Sequence, residues 1–138
     1  KKLLTMKTII ITFIFSTITL LSSAQLSAGD NVYLQFQDTD GEVNVDGDDA
    51  CEMLKSYVVN KTSLSVVSNK EESDYTFVLY VIEKNLGYRK GKIDVVDSKT
   101  GETIFESKWK KGMINAFYGY SGTSHAINRV FKGQGFCM

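Results

Sequence analysis

Proline is missing altogether, acidic residues are missing before Asp30, histidine occurs once, and cysteine twice. One histidine and two cysteines cannot fill a closed tetrahedral zinc site, so structural zinc is excluded on count. No Gly-Lys-Ser/Thr phosphate loop and no dinucleotide fingerprint occurs, and no cofactor is expected. A length of 138 residues leaves room for one domain, not for a two-domain cofactor enzyme or a large barrel. At 43% hydrophobic and 23% charged, the chain is neither disordered nor collagen-like.

Basic and acidic residues balance at 16 each, but Lys1, Lys2 and Lys7 are the only charges before Asp30. Without residues 1–24 the balance is 13 basic against 16 acidic, a net charge of −3. A mildly acidic domain is a poor nucleic-acid binder, so no nucleic-acid partner is expected.

The uncharged stretch from Thr8 to Gly29 holds a 13-residue apolar run, Ile9 to Leu21, with Lys7 before it and Ser22-Ser23-Ala24-Gln25 after it. A positive start, a short apolar centre and small residues at Ser22 and Ala24 describe a secretory signal peptide. A membrane anchor needs about 20 apolar residues, more than this run supplies. The expectation is cleavage near Ala24, with Met6 as the natural start. Residues 1–24 are then the leader, and 25–138 form a single domain that does not span the membrane and is periplasmic or secreted. No cysteine follows the apolar run directly, as a lipid anchor would require; the first is Cys51. Cys51 and Cys137 both reach an oxidising compartment, where disulfides persist. Paired, they would close a long loop worth on the order of 4–5 kcal/mol in the chain-entropy model. Unpaired, they are two free thiols, and spacing alone leaves both readings open.

Within 25–138, Asn31 to Gln37 alternates, with Val32, Leu34 and Phe36 on one face, and predicts a half-buried strand. An acidic connection from Asp38 to Asp48 leads into Ala50, Met53, Leu54, Tyr57 and Val58, the stripe of an amphipathic helix. Asp46, Asp48 and Asp49 suit its N-terminus. Leu64 to Val67 reads as a short strand and Ser68 to Asp74 as a charged turn. Tyr75 to Ile82 is apolar on both faces, which predicts the central strand. Arg89 to Asp97 and Glu102 to Lys110 are joined through Ser98-Lys99-Thr100-Gly101, a hairpin whose glycine can take the left-handed conformation. The return strand places Thr103, Phe105, Ser107 and Trp109 on one face by parity. Gly112 to Gly122 is loop-like, and Thr123 to Lys132 a helix with Ala126, Ile127, Val130 and Phe131 inward. The predicted order β-α-β-β-β-β-α gives an α+β two-layer sandwich, a mostly antiparallel sheet with two helices on one face.

Ser73-Asp74-Tyr75 opening an apolar strand, then a strand ending Asp97-Ser98-Lys99-Thr100-Gly101-Glu102 with its return, resembles small bacterial envelope modules. These are the CsgG-like domains of curli assembly, the LpoB-type activators of penicillin-binding proteins and the N-terminal domain of TolB. The resemblance covers about 35 residues directly and, through element order, most of 25–138. It implies an envelope domain that binds protein partners or assembles. It carries over no functional residue.

Constellations for chemistry are sparse. The carboxylates Asp38, Asp40, Glu42, Asp46, Asp48, Asp49 and Glu52 invite calcium, yet no register places glycine at position 6 and glutamate at position 12 of an EF-hand loop. They read as a solvated loop plus a helix cap, with a weak irregular Ca²⁺ site as the alternative. Gly119-Tyr120-Ser121-Gly122 is half of a nucleophile elbow, but Thr123 stands where the second glycine belongs. Lys84, Arg89, Lys90 and Lys92, with Lys108, Lys110 and Lys111, hold 7 of the 13 basic residues beyond the leader. They read either as edge-strand protection or, beside Tyr88 and Trp109, as a surface for an anionic partner.

The aromatics are the more informative set. With both helices on one sheet face, the other is solvated or meets a partner. Tyr33 and Tyr80 fall on that face, and tyrosine and tryptophan are enriched in binding surfaces. The expected contacts are Tyr33, Tyr80 and Trp109 with the loop residues Phe117, Tyr118 and Tyr120. The expectation is therefore a non-catalytic module that meets an envelope protein or its own copies. The alternative is a small secreted hydrolase or inhibitor-like protein with an unrecognised site.

Overall fold

A computed structural model describes residues 26–114 and 121–133. Seven strands and two α-helices follow in the order β1 (Asn31–Phe36), β2 (Val43–Asn44), α1 (Gly47–Lys61), β3 (Ser65–Val66), β4 (Tyr75–Glu83), β5 (Arg89–Asp97), β6 (Thr103–Glu106), β7 (Lys110–Gly112) and α2 (Gly122–Gly133). The sheet order is β3-β1-β4-β5-β6, with β2 on β4 and β7 on β5. The two-layer α+β architecture is as expected, with β4 at the centre.

The sheet is mostly antiparallel, as expected, with a parallel part at β1. β1 runs parallel to both β3 and β4, while β4, β5 and β6 form the antiparallel meander. The reason lies in α1, which follows β1 and β2. A helix between two strands is the crossover that parallel pairing needs. The return segment also differs from one continuous strand: it breaks into β6 and β7, both paired with β5.

Helix α1 starts where Asp46 accepts a hydrogen bond from the Asp49 amide at 3.0 Å, satisfying one of the free N–H groups of the first turn. It ends at Thr62, whose hydroxyl and amide both donate to the Val58 carbonyl. Its stripe Ala50, Leu54 and Val58 is buried, as are Ala126, Ile127, Val130 and Phe131 of α2. Both stripes meet Val32, Phe77, Leu79, Val81, Ile93 and Val95 in one core cluster. Tyr57 stacks on Phe131 at 4.5 Å between ring centroids, joining the helices to each other.

The hairpin Asp97–Gly101 closes as the residues suggest. Asp97 accepts from the amides of Lys99 and Thr100, and Gly101 sits at φ 75°, where a side chain would be strained. Among the described residues no helix is long and apolar enough to cross a membrane.

Candidate functional site

Alternation along β4 sends Phe77, Leu79 and Val81 toward the helices and Thr76, Val78, Tyr80 and Ile82 to the opposite face. Cross-strand partners share a face. Tyr80 lies opposite Lys92, Val78 opposite Asp94 and Ile82 opposite Lys90 on β5. On β1, Tyr33 lies opposite Thr76 and Gln35 opposite Val78. Tyr33 and Tyr80 therefore share the face that neither helix covers, each half-buried.

Trp109 joins them for a reason parity alone misses. Asp94 is opposite Glu106, whereas Gly91 is opposite Lys110. Between those pairs β5 has Lys92 and Ile93, while the returning chain has Ser107, Lys108 and Trp109. The extra residue is a bulge, and a bulge inverts the alternation beyond it. Ser107 fixes its position, with its amide donating to the Ile93 carbonyl at 3.0 Å and its hydroxyl accepting from the Ile93 amide at 2.8 Å. Phe105, opposite Val95, packs against the core. Trp109 instead turns to the uncovered face and meets Tyr80 edge-on, ring centroids 6.3 Å apart. The expectation that Phe105 and Trp109 share a face is thus overturned by one inserted residue.

Lys92 binds this pair together. Its Nζ lies 4.8 Å from the Tyr80 ring centroid, 5.9 Å from that of Trp109 and 3.3 Å from the Asp94 carboxylate. Burial first, then the charge of Asp94 and hydrogen bonding to it, then the charge of Glu106, hold the Tyr80 hydroxyl above its ordinary pKa of 10.0. Trp109 remains 39% exposed. The result is a preformed aromatic patch with a cation at its centre and a buried carboxylate beneath.

The two basic clusters prove adjacent, because β7 pairs with the start of β5 and sets Lys111 opposite Lys90. Part of their charge is spent internally: Lys84 bonds Glu42 at 2.8 Å and Arg89 lies 3.0 Å from Glu83. Lys111 lies over the Tyr88 ring at 4.1 Å.

The remaining sequence candidates have structural roles or fall outside the described residues. Phe117, Tyr118, Tyr120 and Cys137 lie outside them. Cys51 is a half-buried free thiol on α1, its pKa raised by burial first and then by Asp48 and Glu52. Ser121 caps α2, accepting from the Ser124 amide at 3.0 Å and donating to the Met53 sulfur at 3.3 Å. His125 Nδ1 accepts from the Met113 amide at 3.0 Å. Glu42 and Asp46 serve separately, one in an ion pair and one as a cap. A cleft of about 500 Å³ opens between the starts of α1 and α2, lined by Asp46, Asp49, Met53, Glu83, Arg89 and Ser121 among others. Within that lining Arg89 is paired with Glu83 at 3.0 Å.

No family model and no curated protein matches the chain. Solved structures do. The PelC dodecamer from Paraburkholderia phytofirmans is similar at a TM-score of 0.54 and 13% identity, over 78% of this chain and 90% of that one. The C-terminal domain of LpoB from Salmonella enterica is similar at 0.49 and 11%, over 70% and 91%. TolB from Acinetobacter baumannii is similar at 0.44 and 8%, over 80% of this chain and 30% of that one. The LpoB and TolB kinds of domain that the sequence resembles are thus among these structures, and all three are bacterial envelope proteins. At such identities the likeness is one of fold.

The residues that carried the sequence resemblance prove to be architectural. Asp74 accepts from the Asn31 amide at 2.9 Å, latching β4 to β1. Ser98 sits between the Ser73 and Thr76 hydroxyls at 2.6 and 2.9 Å. What sequence reasoning missed is Asp94. Its signal was a carboxylate on the uncovered face of a long strand, two residues from a lysine.

Proposed function

We propose that the chain is an extracytoplasmic, non-catalytic module that meets a protein partner, or copies of itself, through the uncovered sheet face. The observation that carries this reading is the preformed Tyr80–Trp109–Lys92 patch on that face, with Tyr33 on the neighbouring strand. Rigid aromatic side chains already packed on one another lose little freedom when a partner covers them. Support comes from the leader-like N-terminus and from the fold shared with PelC, which is a dodecamer in its solved structure.

The test places a photo-crosslinking amino acid at Gln35 on the uncovered face or at Lys55 on the exposed side of α1. Crosslinking in the envelope of the source cell should give a discrete adduct from position 35 and none from 55. That adduct should be lost with Tyr80→Ala/Trp109→Ala in a chain whose far-ultraviolet circular dichroism is unchanged. Equal labelling from both positions, or none from 35, overturns the reading.

A further inference from the structure

Opposite charges occupy opposite edges of the same end of the sheet. Beyond β1, the outer edge of β4 is taken by β2, opposite Ile82 and Glu83, and its inner edge by β5, whose start carries β7. The local order is therefore β2-β4-β5-β7. The β2 edge is acidic and exposed, with Asp38 and Asp40 leading into it and Asp46 and Asp48 following. The Asn44 side chain pins this loop by bonding the Thr39 amide and carbonyl and the Glu42 carbonyl. The β7 edge is basic, with Lys108, Lys110 and Lys111, and Arg129 of α2 joins it by donating to the Lys111 carbonyl at 2.8 Å.

Among the described residues, only Glu42 of the acidic edge is neutralised within the molecule, by Lys84. Asp38, Asp40, Asp48, Lys108, Lys110 and Lys111 form no ion pair among the described residues. Lys90 and Lys111 stand directly opposite each other, an arrangement of like charges that costs stability. Three interstrand spacings of about 4.8 Å separate β2 from β7 by roughly 14 Å. That exceeds the Debye length of about 8 Å at physiological ionic strength, so the two edges barely feel each other inside one chain. Each edge also presents apolar surface beside its charges: Val43 is 64% exposed on one side, Trp109 39% and Met113 46% on the other.

We infer that the occupant of the β7 edge is the β2 edge of a second copy. The contact goes beyond the reading above, because it joins copies through the sheet edges rather than through the uncovered face. It is heterologous, acidic edge on basic edge, so it propagates head to tail and closes into a ring where the rotation per subunit permits. Side chains rather than a backbone ladder make it, since the two strands are short and Arg129 already engages the Lys111 carbonyl. The contact relieves the Lys90–Lys111 repulsion in each copy.

The experiment uses the full chain, expressed with its own N-terminal segment in a bacterial host and purified in the form the cell produces. Mass is measured by light scattering across concentration at low salt and at about 1 M salt, where screening shortens to about 3 Å. The parent should assemble, and high salt should weaken assembly by about tenfold or more. Lys108→Glu/Lys111→Glu removes the net positive charge of the β7 edge, and Asp38→Lys/Asp40→Lys removes the net negative charge of the β2 edge. Each variant alone should be monomeric, and an equimolar mixture should assemble again, which also shows that both are folded. A parent that stays monomeric up to about 1 mM, or variants that assemble alone as the parent does, overturns the inference. A face-to-face dimer would survive both substitutions and also overturns it. If the parent is monomeric while crosslinking from Gln35 persists, only this inference falls and the partner-binding reading stands.

Discussion

The Tyr80 hydroxyl is half-buried near the Asp94 carboxylate, and this raises its pKa, with a consequence for pH dependence. The folded-state pKa of Tyr80 is raised above 10.0, as are those of Tyr57 and Tyr75, with burial the first cause in each. A raised pKa means the folded state keeps its proton where the unfolded chain has lost it. Stability from this source is complete below the unfolded pKa and is lost as pH rises through the folded one. Melting temperature should therefore fall as pH is taken above 10, and Tyr80→Phe should flatten that fall without removing it. Absorbance titration near 295 nm gives an independent check, since Tyr80→Phe should delete a late-ionising component. An unchanged slope and an unchanged titration would mean that the Tyr80 hydroxyl ionises in the folded protein as it does in the unfolded chain.

At the scale of elements, α2 reaches the sheet only because glycine lies where they cross. A Cβ on Gly112 of β7 would run into the Gly122 carbonyl and the Ala126 backbone, none of which can give way. Gly112→Ala should cost about 1–3 kcal/mol by forcing α2 off β7, read by chemical denaturation. Gly41→Ala is the comparison, because no atom lies near its Cβ and only its positive φ is strained. Equal losses would place the cost in the backbone rather than in packing.

This crossing also marks the limit of what the amino-acid pattern reveals. α1, β4, β5 and α2 were legible because each is long enough to show a period, and their inward faces follow it residue for residue. β2 has two residues and β7 three, too few to have a period. The parallel pairing of β1 was implicit in the helix that follows it, but helix count alone does not fix strand direction. For the site, parity within one strand placed Tyr33 and Tyr80 correctly. It misplaced Trp109, because the bulge at Lys108 and Trp109 inserts one residue relative to β5 and only the partner strand reveals that insertion.

At the scale of the whole molecule, a single core cluster joins both helices to the same sheet face, so among the described residues no part has a core of its own. Such a chain should unfold as one unit. The protein carries its own probe for this, since Trp109 is its only tryptophan and lies on the face away from the helices. Its fluorescence reports the far side of the sheet, while circular dichroism at 222 nm reports α1 and α2. Leu54 is fully buried on α1, and Leu54→Ala should cost about 2–5 kcal/mol. Because the loss is felt by the one core, both signals should shift to the same lower midpoint, although Leu54 and Trp109 lie in different layers. Two separate midpoints, with only the circular dichroism responding, would show that the helical layer can leave a sheet that holds without it. The preformed aromatic patch would then owe nothing to the helices, and its rigidity would have to come from the Lys92–Asp94–Tyr80 contacts alone.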